Sequence, residues 1–274
     1  MMECDKRVFI MGQGVKSPWY VGNTTKGLFK KFGPKRIIDT PVSENTITGA
    51  ATGAAICGMR PVVIHPRMDF MIYAADQIVN EAANWKYMFG GKSKAPVVIR
   101  AIINRGGEQG AQHSQAIQAW FAHVPGLKVV MPATAYDAKG LLIAAIQEDE
   151  YPVMYIDDRW LYQEQEHVPK NIYSVPIGKA AVRISGCDIT IVAISYMVKV
   201  AKEAALMLEK GGISAEVIDL RTVKPIDYAL IFESVKKTGR LVIAEAAWRT
   251  GCIACTVAAE IAEHCFSFLK APIT

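Results

Sequence analysis

Short β-branched runs alternate along the chain with longer stretches in which apolar residues recur at helical spacing. RVFIMG (7–12), RIID (36–39), PVVI (61–64), APVVIRAII (95–103), LKVV (127–130) and PVMYID (152–157) read as strands. Between them the period predicts helices over 25–32, 43–57, 69–88, near 115–121 and over 137–147. The apolar runs are continuous rather than alternating, as a sheet covered on both faces requires. Strand and helix in strict alternation predict a mostly parallel sheet.

Near residue 160 the pattern breaks. The stretch 161–183, which contains QEQEHVPKNIYSVPIGKA, is polar, proline-marked and without a period of its own. A second series then begins, with strands at DITIVAIS (188–195), AEVIDL (215–220) and RLVIAEA (240–246) and helices over 198–210, 227–237 and 252–269. The expected organisation is α/β with two domains, each a mostly parallel sheet with helices on both faces. Residues 1–165 form the first, 166–185 a linker and 186–274 the second. Three strands and three helices are little for an independent core.

Composition narrows the class. Hydrophobic residues make up 51% and charged residues 21%, which supplies real cores and excludes a disordered chain. The net charge of +5 is thin, and no Lys/Arg run exceeds a pair such as Lys30–Lys31 or Lys236–Lys237, which argues against a nucleic-acid partner. No stretch reaches the ~18 apolar residues of a membrane helix. The start, MMECDKRVF, has neither a signal-peptide core nor transit character. A cytoplasmic setting is expected, with Cys4, Cys57, Cys187, Cys252, Cys255 and Cys265 as free thiols.

Three places carry candidate chemistry. At the first, Pro41-Val42-Ser43-Glu44-Asn45 joins a strand to a helix. Ser43 is a good N-cap, and Glu44 then sits in a first turn whose dipole favours a carboxylate. Alternatively, Glu44 leaves the carboxyl end of a parallel strand, where ligands bind, and holds a proton on a heterocycle. The second is the polar Gly-rich stretch 105–115, which lacks the Lys-Ser/Thr ending of a nucleotide loop. His113 within it is either a general acid/base or a loop histidine bonded to backbone. The third, Cys252-Ile253-Ala254-Cys255, has no second pair to complete a zinc site and reads as packing at a helix start. Phe70, at the start of the predicted 69–88 helix, either joins the core or lines a cleft. These residues alone yield a two-domain α/β protein with one cleft and no named reaction.

Taken in order, the motifs carry a family resemblance. Arg36-Ile37-Ile38-Asp39-Thr40-Pro41-Val42-Ser43-Glu44 resembles the start of the pyrimidine-binding domain of thiamine-diphosphate enzymes. Gly58-Met59-Arg60-Pro61, Met68-Asp69-Phe70 with Asp76-Gln77, Gly110-Ala111-Gln112-His113-Ser114-Gln115 and the run 120–130 continue the likeness. Asp219-Leu220-Arg221-Thr222 with Pro225 and Asp227 is similar to the C-terminal transketolase-type domain. The nearest family is the β subunit of the E1 component of 2-oxo acid dehydrogenase complexes of the pyruvate, branched-chain and acetoin types. A split transketolase or deoxyxylulose-phosphate synthase half, or a non-catalytic β-like scaffold, shares part of this pattern.

The resemblance implies roles. A Glu at the position of Glu44 hydrogen-bonds N1′ of the thiamine aminopyrimidine. Phe70 matches an aromatic that packs on that ring, and His113 a histidine that helps pass the acyl group to a lipoyl arm. No Gly-Asp-Gly motif occurs here. Mg²⁺ and the diphosphate are therefore expected on an E1 α subunit in an α₂β₂ assembly, served by a lipoyl-bearing E2 acyltransferase and a 2-oxo acid substrate. Gln13 stands where complex-forming members usually carry an acid, which removes a charge near the expected cleft.

Overall fold

The computed structural model describes residues 1–17, 19–105 and 109–274. Its strands are, in chain order, β1 (Val8–Gln13), β2 (Ile37–Thr40), β3 (Arg60–His65), β4 (Val98–Ile103), β5 (Lys128–Val130), β6 (Val153–Asp158), β7 (Ala181–Ile184), β8 (Ile189–Ala193), β9 (Ala215–Asp219), β10 (Thr222–Lys224) and β11 (Leu241–Ala244). The helices are α1 (Leu28–Phe32), α2 (Glu44–Ile56), α3 (Met68–Met71), α4 (Asn84–Met88), α5 (Gln118–Ala122), α6 (Ala135–Gln147), α7 (Tyr196–Lys210), α8 (Tyr228–Thr238) and α9 (Ile253–Cys265).

Two sheets form. The larger has the order β10-β5-β6-β4-β3-β1-β2, and the smaller β11-β8-β9-β7. All pairings in the larger sheet are parallel except β10 on β5. In the smaller sheet β7 runs antiparallel to β9 while the other pairs are parallel. Strands β4 and β6 are buried along their whole length, which explains why their sequences are mostly apolar rather than alternating, and why the charged Arg100 and Asp157 within them pair with each other.

Three details depart from the expected elements. The stretch expected as linker carries β7, and Val175 within it is buried and donates its backbone N–H to the Gly140 carbonyl. The helix expected over 69–88 is a succession: α3, a 3₁₀ turn at Ile72–Ala74, a π-helical segment at Gln77–Ala83, then α4. Here α2 presses close, and a Cβ on Gly49 would lie 2.8 Å from the Gln77 side-chain oxygen. The third departure is β10. Arg221 takes a positive φ of 57° directly after β9, and this turn carries the chain from the small sheet to the edge of the large one.

The second domain packs only a small cluster of its own, around Ile191, Ala193, Val198 and Val217, and shares the rest of its core with the first. The largest buried apolar cluster runs from Phe9 and Val63 through Phe121 and Val129 to Ile194, Leu220 and Val257. That sharing answers the shortage of apolar material expected of so small a unit. Buried charges fasten the same junction. Arg183 of β7 bonds to Asp137 in the first turn of α6 and, at 2.7 Å, to Asp219 at the end of β9. Arg221 reaches the other Asp137 oxygen at 2.9 Å, and both carboxylates are fully buried. Removing one partner from such a group strands a charge away from water. Arg183→Leu is therefore expected to cost about 3–5 kcal/mol of unfolding free energy, read by urea titration. A loss under about 1 kcal/mol, the size of an exposed pair, would contradict the assigned role.

Candidate active site

The large sheet places five neighbouring parallel strands, β6-β4-β3-β1-β2, with their carboxyl ends on one edge. Ligand-binding residues of open α/β sheets gather at that edge. A cleft of about 160 Å³ opens there, lined by Gln13, Tyr20, Glu44, Ile47, His65, Pro66, Arg67, Phe70, Gln109 and His113. Gln13 ends β1, Glu44 begins the helix after β2, and Arg67 and Phe70 follow β3. Gln109 and His113 follow β4. The structure thus brings Glu44, Phe70 and His113 into one cavity. Gly106, Gly107 and Glu108, part of the Gly-rich stretch, lie outside the described residues.

Glu44 opens α2, in the first turn after Ser43. The Ser43 hydroxyl does not cap the backbone as expected. It bonds instead to Thr46 Oγ1 at 2.8 Å. The first turn is held from the other side. Thr48 donates its hydroxyl to the Glu44 backbone carbonyl at 2.8 Å and lies 3.0 Å from His65 Nε2. With its proton committed to Glu44, Thr48 accepts from His65, which fixes the Nε2–H tautomer. This chain of bonds ties the turn bearing Glu44 to the end of β3, and it leaves the carboxyl group to the cleft.

The opposite wall is aromatic. Phe70 and His113 meet edge to face, with centroids 5.0 Å apart and planes at 87°. Asp69, buried beside Phe70, accepts the Gln115 backbone N–H at 3.1 Å and so anchors the His113 loop to α3. Among the described residues, the second Asp69 oxygen and His113 Nδ1 are both buried without a hydrogen-bond partner. At the outer end, Gln13 Nε2 donates to the Tyr20 hydroxyl at 3.0 Å. The Tyr20 ring lies against Gly14, whose φ is +69° and where a Cβ would fall 2.5 Å from Tyr20 Cγ. Only glycine seats the tyrosine there.

His65, Asp69, Arg67, Gln109 and Tyr20 carry much of this site without having been singled out as candidates from sequence. His65 and Arg67 come directly after the predicted strand 61–64, so the rule that ligands bind past strand ends was the signal available. The Cys252–Cys255 pair lies elsewhere. Cys252 is buried at the N-cap of α9, and Cys255 is exposed with its sulfur 3.5 Å away. Among the described residues no helix is long and apolar enough to cross a membrane.

Comparison with known proteins places this architecture. Residues 1–164 match the transketolase pyrimidine binding domain, and residues 178–274 the transketolase C-terminal domain. The chain is 47% identical over 261 residues to the acetoin:2,6-dichlorophenolindophenol oxidoreductase subunit beta of Cupriavidus necator, covering 95% of this chain and 77% of that one. It is 44% identical over 269 residues to the pyruvate dehydrogenase E1 component subunit beta of Rickettsia bellii, covering 98% and 82%. The chain belongs to the E1 β-subunit family of 2-oxo acid dehydrogenases. Among solved structures, a split-gene transketolase in an inactive β4 tetramer superposes with a TM-score of 0.82 at 27% identity, covering 100% of this chain and 83% of that one. The two-sheet architecture is thus that of the E1 β family and its transketolase-like neighbours.

Burial has a thermodynamic consequence at His65. It pushes the imidazole from its ordinary 6.5 down to about 4, because the charged form has lost its water. The native chain stays neutral at this position where the unfolded chain takes up a proton. The stability so held is complete above pH 6.5 and is lost as the pH falls from 6.5 toward 4. Between pH 7 and 5 the expected loss is about 2 kcal/mol, visible as a fall in melting temperature that His65→Gln flattens. An unchanged pH slope in the variant would remove His65 from this account.

Proposed function

We propose that this chain supplies the pyrimidine half of a thiamine-diphosphate site. In this reading it works as the β subunit of an E1 that decarboxylates a 2-oxo acid oxidatively and passes the acyl group to a lipoyl arm. The observation that carries the reading is the cleft itself. One cavity is lined by a carboxyl group at a helix start and by the Phe70–His113 aromatic pair, with a buried imidazole nitrogen that has no partner among the described residues.

That donor set fits the cofactor's aminopyrimidine. Glu44 would hold a proton at N1′, Phe70 would pack on the ring, and Ile47 adds apolar lining that strengthens a single charged hydrogen bond by keeping water out. Thiamine diphosphate, when bound, supplies an electron sink for decarboxylation next to a carbonyl. The acidic Mg²⁺-binding half has no counterpart in the sequence, since no Gly-Asp-Gly occurs. An E1 α subunit would bring it, in an α₂β₂ assembly. His113 would then deliver a proton to the lipoyl sulfur as the acyl group is transferred. Identity of 47% and 44% to the two β subunits, against 27% to the split-gene transketolase, supports this reading over a transketolase half.

Two substitutions test it in the complex with the α partner. Glu44→Gln keeps size but loses the acid at N1′, and kcat is expected to fall at least ~10²-fold with circular dichroism unchanged. Near-wild-type turnover would show that Glu44 does not serve N1′. His113→Ala is expected to damage lipoyl acylation at least ~10-fold more than turnover with an artificial electron acceptor. Equal loss in both assays would take His113 out of acyl transfer.

A further inference from the structure

The cleft contains a second charge that the proposed cofactor chemistry does not use. Arg67 lines it beside His65 and Phe70. Among the described residues the guanidinium is held by neutral oxygens. Its Nε and Nη2 donate to Gln109 Oε1 at 3.1 and 2.8 Å, and its Nη1 to the Pro66 carbonyl at 2.8 Å. A guanidinium carries five N–H groups, so among the described residues these bonds leave one on each terminal nitrogen. Two N–H donors on adjacent nitrogens match the two oxygens of a carboxylate.

The holding group is itself part of a relay. Gln109 Oε1 also accepts from Asn104 Nδ2 at 3.1 Å, and Asn104 Oδ1 accepts from Arg159 Nη1 at 2.5 Å. Asn104 is fully buried at the end of β4. Two guanidiniums are therefore bridged by two amides. None of the ion pairs formed among the described residues involves Arg67 or Arg159. The neighbouring Arg100 and Arg105, by contrast, end on the carboxylates of Asp157 and Asp158. Burial and the neighbouring Arg159 lower the Arg67 pKa, and Tyr20, Asp69 and Tyr162 offset this only in part, so an anion bonded directly to the guanidinium adds to its stabilisation. The outer wall offers nothing to compete, because Gln13 and Tyr20 are neutral and bonded to each other. Glu44 is the one acidic residue lining the cleft among the described residues, and it pairs with neither arginine.

We propose that Arg67, oriented by Gln109 and backed by the Asn104–Arg159 pair, binds the carboxylate of the substrate and selects an anionic 2-oxo acid over a neutral hydroxyketone such as acetoin. This rests on the cleft being the substrate site of the E1 reading, and it goes beyond that reading by naming the group that tells the two substrate chemistries apart. The same cation chemistry would suit the diphosphate of the cofactor or a carboxylate of the α chain, so the test separates all three.

The experiment uses the assembled α–β complex, with wild type, Arg67→Gln and Arg67→Lys. Steady-state turnover with an artificial electron acceptor is measured on pyruvate, 2-oxoisovalerate and acetoin. Calorimetry measures binding of oxamate, an unreactive anion carrying the carboxylate and carbonyl of a 2-oxo acid. Loss of one charge-assisted pair predicts a fall of roughly thirtyfold in kcat/KM for the 2-oxo acids in Arg67→Gln. Oxamate affinity is expected to drop in parallel, with partial recovery in Arg67→Lys and less than about threefold change on acetoin. Thiamine diphosphate affinity and complex size by sedimentation stay at wild-type values. Several outcomes would overturn the assignment: a wild type that prefers acetoin, oxamate binding indifferent to Arg67, weaker cofactor binding in the variant, or dissociation of the complex. A complex that turns over no 2-oxo acid, yet binds oxamate through Arg67, would sink the E1 reading while leaving the anion site standing.

Discussion

The site depends on one constraint, the shared direction of β6, β4, β3, β1 and β2. Parallel pairing puts the carboxyl end of every one of these strands on the same edge, so residues far apart in sequence arrive together. Gln13, Glu44, Arg67 and His113 sit within one small cavity although exactly none of them shares a secondary-structure element with another. The bond chain from His65 through Thr48 to the Glu44 carbonyl then converts strand register into the position of a helix start. A shift in how β3 sits beside β1 would move His65, and with it the turn that carries Glu44.

The second domain contributes stiffness rather than lining. Its β10 closes the far edge of the large sheet against β5, its helices complete a shared apolar cluster, and Arg183 and Arg221 hold Asp137 at the start of α6. A further tie lies nearer the site. Gln118 of α5 donates to Glu245 at 2.6 Å, and the other Glu245 oxygen accepts the Ala254 N–H of α9 at 2.8 Å. Since α5 follows the His113 loop, the two domains together limit how far that loop can travel.

Much of this was legible from sequence, for reasons that differ by residue. The stretch 95–103 is a long, mostly apolar run, and β4 at its end is buried throughout, so its pattern was unambiguous. Glu44, Phe70 and His113 belong to runs whose order carries the family resemblance, and the structure gathers all three in the cleft. Strands β7 and β10 escaped because they are only 4 and 3 residues long, pair antiparallel, and follow no hydrophobic alternation. The break in the helix over 69–88 is tertiary in origin, arising where α2 crowds Gln77, and leaves no local mark. Arg67 was invisible for a related reason. An arginine after a strand is ordinary until the structure shows that amides, not carboxylates, hold it.

The central claim is that Glu44 meets the aminopyrimidine of thiamine diphosphate in a cleft that an α chain completes. Its most direct test is a crystal structure of the α–β complex with thiamine diphosphate and Mg²⁺ bound. The account predicts the Glu44 carboxyl within hydrogen-bond reach of N1′, about 2.6–3.2 Å, with Phe70 against the ring and the diphosphate and metal on the α chain. Aminopyrimidine density seated away from Glu44, or a cofactor held wholly by one chain, would contradict it.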